Sequence, residues 1–181
     1  MKKALFFIAL SMVVLTGFAQ KKKTTSATIS FDATTSLDKL PKADNKTVIA
    51  SLDTRKGTLA FEAIIKNFSF SNPKMQEHFN SPNWMDSDKY PNATFKGKLT
   101  NLSTINFKKD GTYPAELEGE LNLHGKTQQL KTTGSVTVKG KVVSASADFT
   151  LKLEDYGVNG PAIGAGKVSK DPKVSVTAEL K

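Results

Sequence analysis

The fold is decided by residues 113–153, "YPAELEGELNLHGKTQQLKTTGSVTVKGKVVSASADFTLKL", in which apolar and polar side chains alternate almost throughout. In 113–123 one set of alternate positions holds alanine, leucine and glycine, while the other holds Glu116, Glu118, Glu120 and Asn122. A period of two is typical of a strand with one face buried and the other in water. The segment therefore predicts three consecutive strands, over 113–123, 128–139 and 142–153.

Short turns separate these strands, and similar patterns recur along the chain. "HGKT" (124–127) and "KGK" (139–141) are tight reversals, and Gly140 can adopt a positive φ without steric cost. Further strands are predicted over 26–31, 48–53, 57–68, 92–107 and 173–180, with a bend near Leu102 and a mobile lead-in over 20–26. About eight antiparallel strands predict an all-β fold, an eight-stranded up-and-down barrel, with a two-sheet sandwich as the alternative.

One connection, over 72–91, is much longer than a hairpin turn. Asn72 followed by Pro73 predicts a short helix that Ser81-Pro82 ends. Long ordered connections in compact domains usually carry function or close an open end. The apolar side chains of this connection are predicted to close one mouth of the barrel: Met75, Phe79, Trp84, Met85 and Tyr90.

The N-terminal segment is predicted to direct export. Residues 1–19 have a basic start, an apolar run and small residues near Ala19, as in a cleavable signal peptide, so the folded domain is expected over 20–181. With no cysteine, neither a lipid-anchored N-terminus nor a disulfide is expected. Removing Lys2 and Lys3 takes the formal charge from +9 to +7. Such a charge indicates either an ordinary solvated basic surface or an affinity for anionic lipid surfaces or ligands; nucleic acid is not an expected partner.

No catalytic, metal or cofactor site is predicted. His78 and His124 are the only histidines, and no serine lies in a G-x-S-x-G context. The segment 160–169, "GPAIGAGKVS", resembles a phosphate-binding loop, but Val168 follows Lys167 where serine or threonine is required. The favoured interpretation of this segment is a flexible crossover before the last strand; the alternative makes Lys167 a candidate contact for an anionic head group at the barrel rim.

The predicted interior mixes small and large side chains, which indicates space for an apolar ligand. Many small residues can leave a cavity in an eight-stranded barrel; the alternative is that they fit the taper of a solid core. The small residues at inward positions are Ala93, Gly97, Ala115, Gly119, Gly134, Ala145, Ala147 and Ala178.

Three segments resemble the YceI family: 78–99, "HFNSPNWMDSDKYPNATFKGKL"; 119–130, "GELNLHGKTQQL"; and 147–158, "ADFTLKLEDYGV". The resemblance implies an exported, usually periplasmic protein with a lipocalin-like barrel whose apolar channel holds a polyisoprenoid. It also implies links to stress responses, no established enzymatic activity, and a structural role for His124 in its turn.

The leading hypothesis is therefore a non-enzymatic carrier of a polyisoprenoid or another long-chain lipid. An anionic membrane surface and a second copy of the chain are further candidate partners. A solid-cored envelope protein that acts through protein contacts is the alternative, and an enzyme acting on a lipid is the least favoured. The interior is predicted to be lined by Phe61, Ile65, Phe95, Leu117, Leu121, Val136, Phe149 and Leu151. Its mouth is predicted to be formed by Met75, Phe79, Trp84 and Tyr90, with Lys167 at the rim.

Overall fold

The computed structural model describes residues 21–181, so the predicted signal peptide (1–19) lies outside the described residues. The strands are β1 (Lys21–Asp32), β2 (Lys42–Asp53), β3 (Thr58–Ile64), β4 (Ser69–Phe70), β5 (Asn92–Leu99), β6 (Gly111–Leu123), β7 (Lys126–Lys139), β8 (Val142–Thr150) and β9 (Lys173–Leu180). Two helices, α1 (Pro73–Asn80) and α2 (Pro161–Gly164), and three 3-10 turns, Ile65–Asn67, Leu102–Thr104 and Leu153–Tyr156, lie in the connections.

The strands form one closed antiparallel barrel. Around the barrel the order is β1-β2-β3-β5-β6-β7-β8-β9, and β9 returns to pair with β1. The two-residue β4 pairs only with the start of β2, at Ala43 and Asp44. This confirms the predicted eight-stranded up-and-down barrel, and the sandwich alternative is wrong, because a single sheet closes on itself and leaves no exposed edge.

The apolar face of each alternating strand points into the barrel and the polar face points outwards, as predicted. Val136 and Val138 on β7 are each 2% exposed, whereas the outward Glu118 on β6 lies 3.2 Å from Lys98 Nζ and 3.7 Å from Lys131 Nζ. Lys98 and Lys131 are the cross-strand neighbours of Glu118. Glu118 therefore pairs with a lysine on each neighbouring strand, although exposed pairs stabilise a fold by only about 0–1 kcal/mol.

Several predicted boundaries are wrong. Residues 21–26 form part of β1 rather than a mobile lead-in, because their backbone pairs with β2 from Lys21↔Asp53 to Thr24↔Ala50. The predicted strand 92–107 ends at Leu99, where the Asn101 side chain bonds to the backbone at Pro114 and Glu116. The predicted strands 57–68 and 142–153 end at 64 and 150, where the chain turns towards a 3-10 turn.

The two ends of the barrel differ in their connections. At the lid end lie residues 33–41, 65–91, 124–125 and 151–172, which include α1 and α2. At the turn end lie residues 21–23, 53–57, 100–110, 139–141 and 179–181. Within residues 21–181, neither helix has the length and apolar character needed to cross a bilayer.

Candidate functional site

The barrel encloses an apolar cavity of about 170 Å³. All eight strands of the closed barrel contribute to its lining, and none of the lining residues carries a charge. The polar lining residues are Ser51, Thr132, Ser135 and Ser146. A charged group buried here would lose its hydration without a charged partner, so the cavity suits an uncharged, apolar occupant.

The cavity is long and narrow. On β6 the lining runs from Ala115 to Leu123, which is eight residue steps. At about 3.3 Å per residue this is about 26 Å along the strand, or about 20 Å along the axis of a barrel with ordinary strand tilt. The cavity volume is below the roughly 300–1,000 Å³ of drug-sized pockets. Spread over that length, it corresponds to a channel wide enough for one apolar chain.

The cavity borders half-buried side chains on most of the strands. Inward side chains at the turn end, such as Val138, Val143 and Leu180, are almost fully buried, whereas many inward side chains further along the strands are only half-buried. Because these half-buried residues point inwards, their exposed surface borders the cavity. The inward half-buried lining residues on the strands are Ile29, Phe31, Phe61, Ala93, Phe95, Leu117, Leu121, Leu130, Thr132, Ala145, Ala147, Phe149 and Val176.

Two paired glycines let the Phe95 ring lie against the barrel wall. Gly97 on β5 and Gly119 on β6 are direct cross-strand partners. A Cβ atom at Gly97 would stand 2.7 Å from the Phe95 ring, and one at Gly119 would stand 2.8 Å from it. The same Cβ atoms would also stand 2.5 Å from the Glu118 carbonyl oxygen and closer still to the Lys96 carbonyl oxygen, respectively, so a larger residue at either position would displace both the ring and the paired backbone.

Helix α1 closes part of the lid end. The side chain of Asn72 accepts a hydrogen bond from the Lys74 amide at 2.9 Å, and Pro73 occupies the first turn, so the predicted cap and helix are confirmed. Phe79, 8% exposed, points into the barrel. Its ring centroid lies 4.9 Å from that of Phe70, 5.8 Å from that of Phe68 and 6.3 Å from that of Phe31. These contacts fix α1 to the strands, and Phe79, Trp84 and Met85 line the cavity.

The His124 side chain links the long connection that contains α1 to the segment that precedes α2. Its ring packs edge-on against Tyr90 with centroids 4.6 Å apart, and its Nδ1 lies 3.1 Å from the carbonyl oxygen of Tyr156. The backbone of His124 has φ +50°, followed by Gly125 at +73°. Its side chain therefore holds two lid segments together, which agrees with the structural role that the resemblance implies.

The Tyr156 phenol is buried in apolar surroundings in the same lid. It is 3% exposed, and its burial, with a smaller contribution from the Asp155 charge, raises its pKa to about 12. The phenol is therefore neutral at ordinary pH. The lid, like the lining, places no charge against the cavity.

Ten of the thirteen residues predicted to contact a ligand line the cavity: Phe61, Ile65, Phe79, Trp84, Phe95, Leu117, Leu121, Val136, Phe149 and Leu151. Met75, Tyr90 and Lys167 do not. Met75 is half-buried on α1, Tyr90 packs on His124, and Lys167 is exposed after α2. A contact between Lys167 and a head group stays a prediction.

The prediction missed the wall formed by β1 and β9. Ile29, Phe31, Val174 and Val176 line the cavity there. The alternation in "KVSVTAEL" (173–180) could have identified the two valines. The alternation in "SATISF" (26–31) could likewise have identified Ile29 and Phe31.

Comparisons relate this chain to known proteins. A model of the YceI-like domain matches residues 11–180. A UPF0312 protein of Pseudomonas putida strain W619 is 32% identical over 106 residues, which is 55% of this chain and 50% of the relative. Another from Pseudomonas syringae pv. tomato DC3000 is 29% identical over 109 residues, 57% of this chain and 51% of the relative. The chain thus spans about half the length of the curated relatives it matches.

Two solved structures share the fold. A polyisoprenoid binding domain from Saccharophagus degradans, implicated in plant cell wall breakdown, has a TM-score of 0.75 at 11% identity and covers 90% of this chain and 98% of its own. Burkholderia cenocepacia BcnA has a TM-score of 0.71 at 15% identity, with coverage of 86% and 96%. Identities this low establish the barrel alone. Because the family model spans nearly the whole sequence, the chain belongs to the YceI-like family.

Proposed function

We propose that this protein binds one long apolar lipid chain, a polyisoprenoid in the first instance, inside the barrel. The observation that carries the proposal is the narrow, uncharged channel beneath a lid of Phe79, Trp84 and Met85. The structurally similar domain from Saccharophagus degradans, described as polyisoprenoid binding, supports the choice of ligand. Lys167 and the mouth residues Met75 and Tyr90 would meet whatever part of the ligand emerges at the lid end.

The affinity should depend on chain length more than on chemical detail. Burying one CH₂ group stabilises a complex by about 0.8 kcal/mol, or about fourfold in Kd. Each added methylene should tighten binding until the chain fills the channel, after which further length should add little. An apolar lining with four hydroxyl-bearing residues offers few directional contacts, so acyl chains and isoprenoids of similar length should both enter.

The proposed role is binding rather than catalysis. His124 is engaged by Tyr90 and by the Tyr156 carbonyl, and His78 is exposed on α1, outside the cavity lining. With these contacts and locations, neither histidine ring lies next to a lipid chain bound in the cavity. We expect no turnover of a bound isoprenoid by the wild-type protein or by His78→Ala and His124→Ala. Product formation that either substitution abolished would contradict this.

The proposed compartment is the periplasm, reached by cleavage after Ala19, with a role in the envelope stress response. The support is the signal-like composition of residues 1–19. N-terminal sequencing of the protein from a periplasmic extract should begin at Gln20. An intact Met1 or a cytoplasmic location would contradict the export proposal.

Solvent extraction tests the lipid proposal. The protein purified from its host should release one lipid per chain, as measured by mass spectrometry of the extract. Ala145→Leu adds bulk to the cavity lining and should lower that stoichiometry severalfold, while Ser144→Leu adds the same side chain on the outward face of β8 and should not. Lipid-free wild-type protein that also fails to take up a fluorescent isoprenoid would overturn the proposal.

A second candidate function, contact with another protein, is favoured by one surface feature. Ile49 on β2 and Ile64 on β3 are 50% and 45% exposed on the outer face of two paired strands. A second copy of the chain is the partner to test first. Sedimentation velocity should show a dimer that Ile49→Ser with Ile64→Ser dissociates; a monomer at all concentrations would exclude the homodimer.

A further inference from the structure

The net positive charge of the described chain is concentrated at one end of the barrel. Without Lys2 and Lys3, the formal charge of +9 leaves +7 for residues 21–181. The turn end carries three acidic residues, Asp53, Asp110 and Glu179. It carries ten basic residues: Lys21, Lys22, Lys23, Arg55, Lys56, Lys108, Lys109, Lys139, Lys141 and Lys181. The turn end therefore accounts for the whole +7, and the remaining described residues sum to zero.

The acidic groups at this end are engaged within it. The Asp53 carboxylate accepts hydrogen bonds from the amides of Arg55 and Lys56 at 3.0 and 2.9 Å, and these bonds hold its pKa below the usual value. The Asp110 carboxylate accepts from the Gly140 amide at 2.8 Å. These bonds keep two carboxylates close to the turn backbone.

The basic groups, in contrast, face water. Lys181 pairs with Glu179 at 2.9 Å, and the Lys22 ammonium donates to the carbonyl of Lys141. Among the residues that the structure describes, the other basic side chains of the turn end form no ion pair within 4.0 Å. Their charge is therefore available to an outside partner.

We propose that the turn end docks on the surface of an anionic lipid bilayer. Its charges come from five separate segments around the barrel rim, which suits a broad surface rather than a groove-bound strand. Nine of the ten are lysines, which act as point charges without the bidentate geometry of arginine. The aromatic residues Phe107 and Tyr113 pack on the core, so they offer no platform for stacked bases.

Docking of this kind is independent of lipid carriage, because it requires no occupied cavity. The barrel would stand with its turn end on the bilayer and its lid end, with the exposed Leu37 and Leu40, directed away. Each lysine near an anionic surface contributes about fivefold to partitioning at low salt. The attraction should weaken as added salt shortens the screening length.

Co-sedimentation with vesicles tests the proposal. The mature chain should pellet with phosphatidylglycerol–phosphatidylethanolamine vesicles at low salt, and should stay in solution with phosphatidylcholine vesicles or at high salt. Lys108→Glu with Lys109→Glu and Lys141→Glu should weaken partitioning about 100-fold or more. The matched control, Lys39→Glu with Lys74→Glu and Lys152→Glu, changes net charge equally at the lid end and should weaken it less than tenfold.

Two readouts separate docking from other effects. Both triple variants should unfold at the wild-type temperature, since all six lysine side chains are exposed. Solvent extraction should find the same lipid content in both, so a failure of docking and a failure of lipid carriage are distinguishable. Equal weakening by the two variants would overturn the assignment to the turn end. Retention by DNA without binding to anionic vesicles would overturn the bilayer as partner.

Discussion

Phe79 and Phe95 line the same cavity in different surroundings. Phe79 is 8% exposed and contacts three other phenylalanine rings, whereas Phe95 is half-buried, with its ring lying on two glycines. Replacing a fully packed phenylalanine with alanine costs about 3–5 kcal/mol, because contacts are lost and a void remains. We expect Phe79→Ala to lower the free energy of unfolding by this amount and Phe95→Ala by less than about 3 kcal/mol. Equal losses in urea titrations would contradict a cavity beside the Phe95 ring.

Tyr156 links protein stability to alkaline pH. Its folded-state pKa is raised to about 12, above the usual tyrosine value of 10.0, so the unfolded chain releases this proton first. The corresponding stabilisation is complete below pH 10 and is lost as the pH rises from 10 towards 12. We expect Tyr156→Phe, which lacks the proton, to lose less stability than the wild type across this window. Urea titrations in which the two proteins lose stability in parallel would contradict the assignment.

At the scale of single elements, we expect the cap of α1 to affect how firmly the lid closes. Asn72→Ala removes the bond to the Lys74 amide and should cost about 1 kcal/mol of stability. Because α1 carries Phe79, fraying of its first turn should speed the release of a bound fluorescent isoprenoid severalfold in stopped-flow exchange. Asn106→Ala is the matched control, since Asn106 accepts a similar bond from the Lys108 amide at the turn end. Equal acceleration by both variants would contradict a mouth at the lid end.

The strands predicted correctly are those in which the alternation of apolar and polar side chains is enough to identify a strand. The alternation over 113–153 predicts β6, β7 and most of β8, because one face of each strand is apolar throughout. Alternation does not identify residues 21–26 as a strand, because their lysines and threonines resemble a solvated tail. Only their pairing with β2 makes them part of β1. Asn101, whose side chain bonds Pro114 and Glu116, ends β5 through contacts that no periodicity shows.

The same distinction applies to the site. Alternation identified the inward residues of β5–β8, such as Phe95 and Leu121, because the sheet itself directs them into the cavity. In the lid, Met75 and Phe79 are both predicted to close the mouth, yet only Phe79 lines the cavity, where its ring packs against those of Phe31, Phe68 and Phe70. Side chains on connections therefore need the tertiary structure for their assignment.

At the scale of the whole molecule, the barrel separates two properties along its axis. The apolar lid segments, with a neutral Tyr156 and the Tyr90–His124 contact, lie at one end. The basic rim lies at the other. The uncharged channel runs between them, so lipid binding and electrostatic attraction can be altered by separate substitutions.

Fluorescence of Trp84 tests the central claim most directly. Trp84 is the chain's single tryptophan and lines the cavity, so its emission reports on that site alone. Titration with a polyisoprenol brominated along its chain should quench the emission to a plateau at one ligand per protein. Ala145→Leu should weaken this quenching, and Ser144→Leu should leave it unchanged. Emission that stays constant, or declines without saturation in all three proteins, would contradict a lipid chain held inside the barrel.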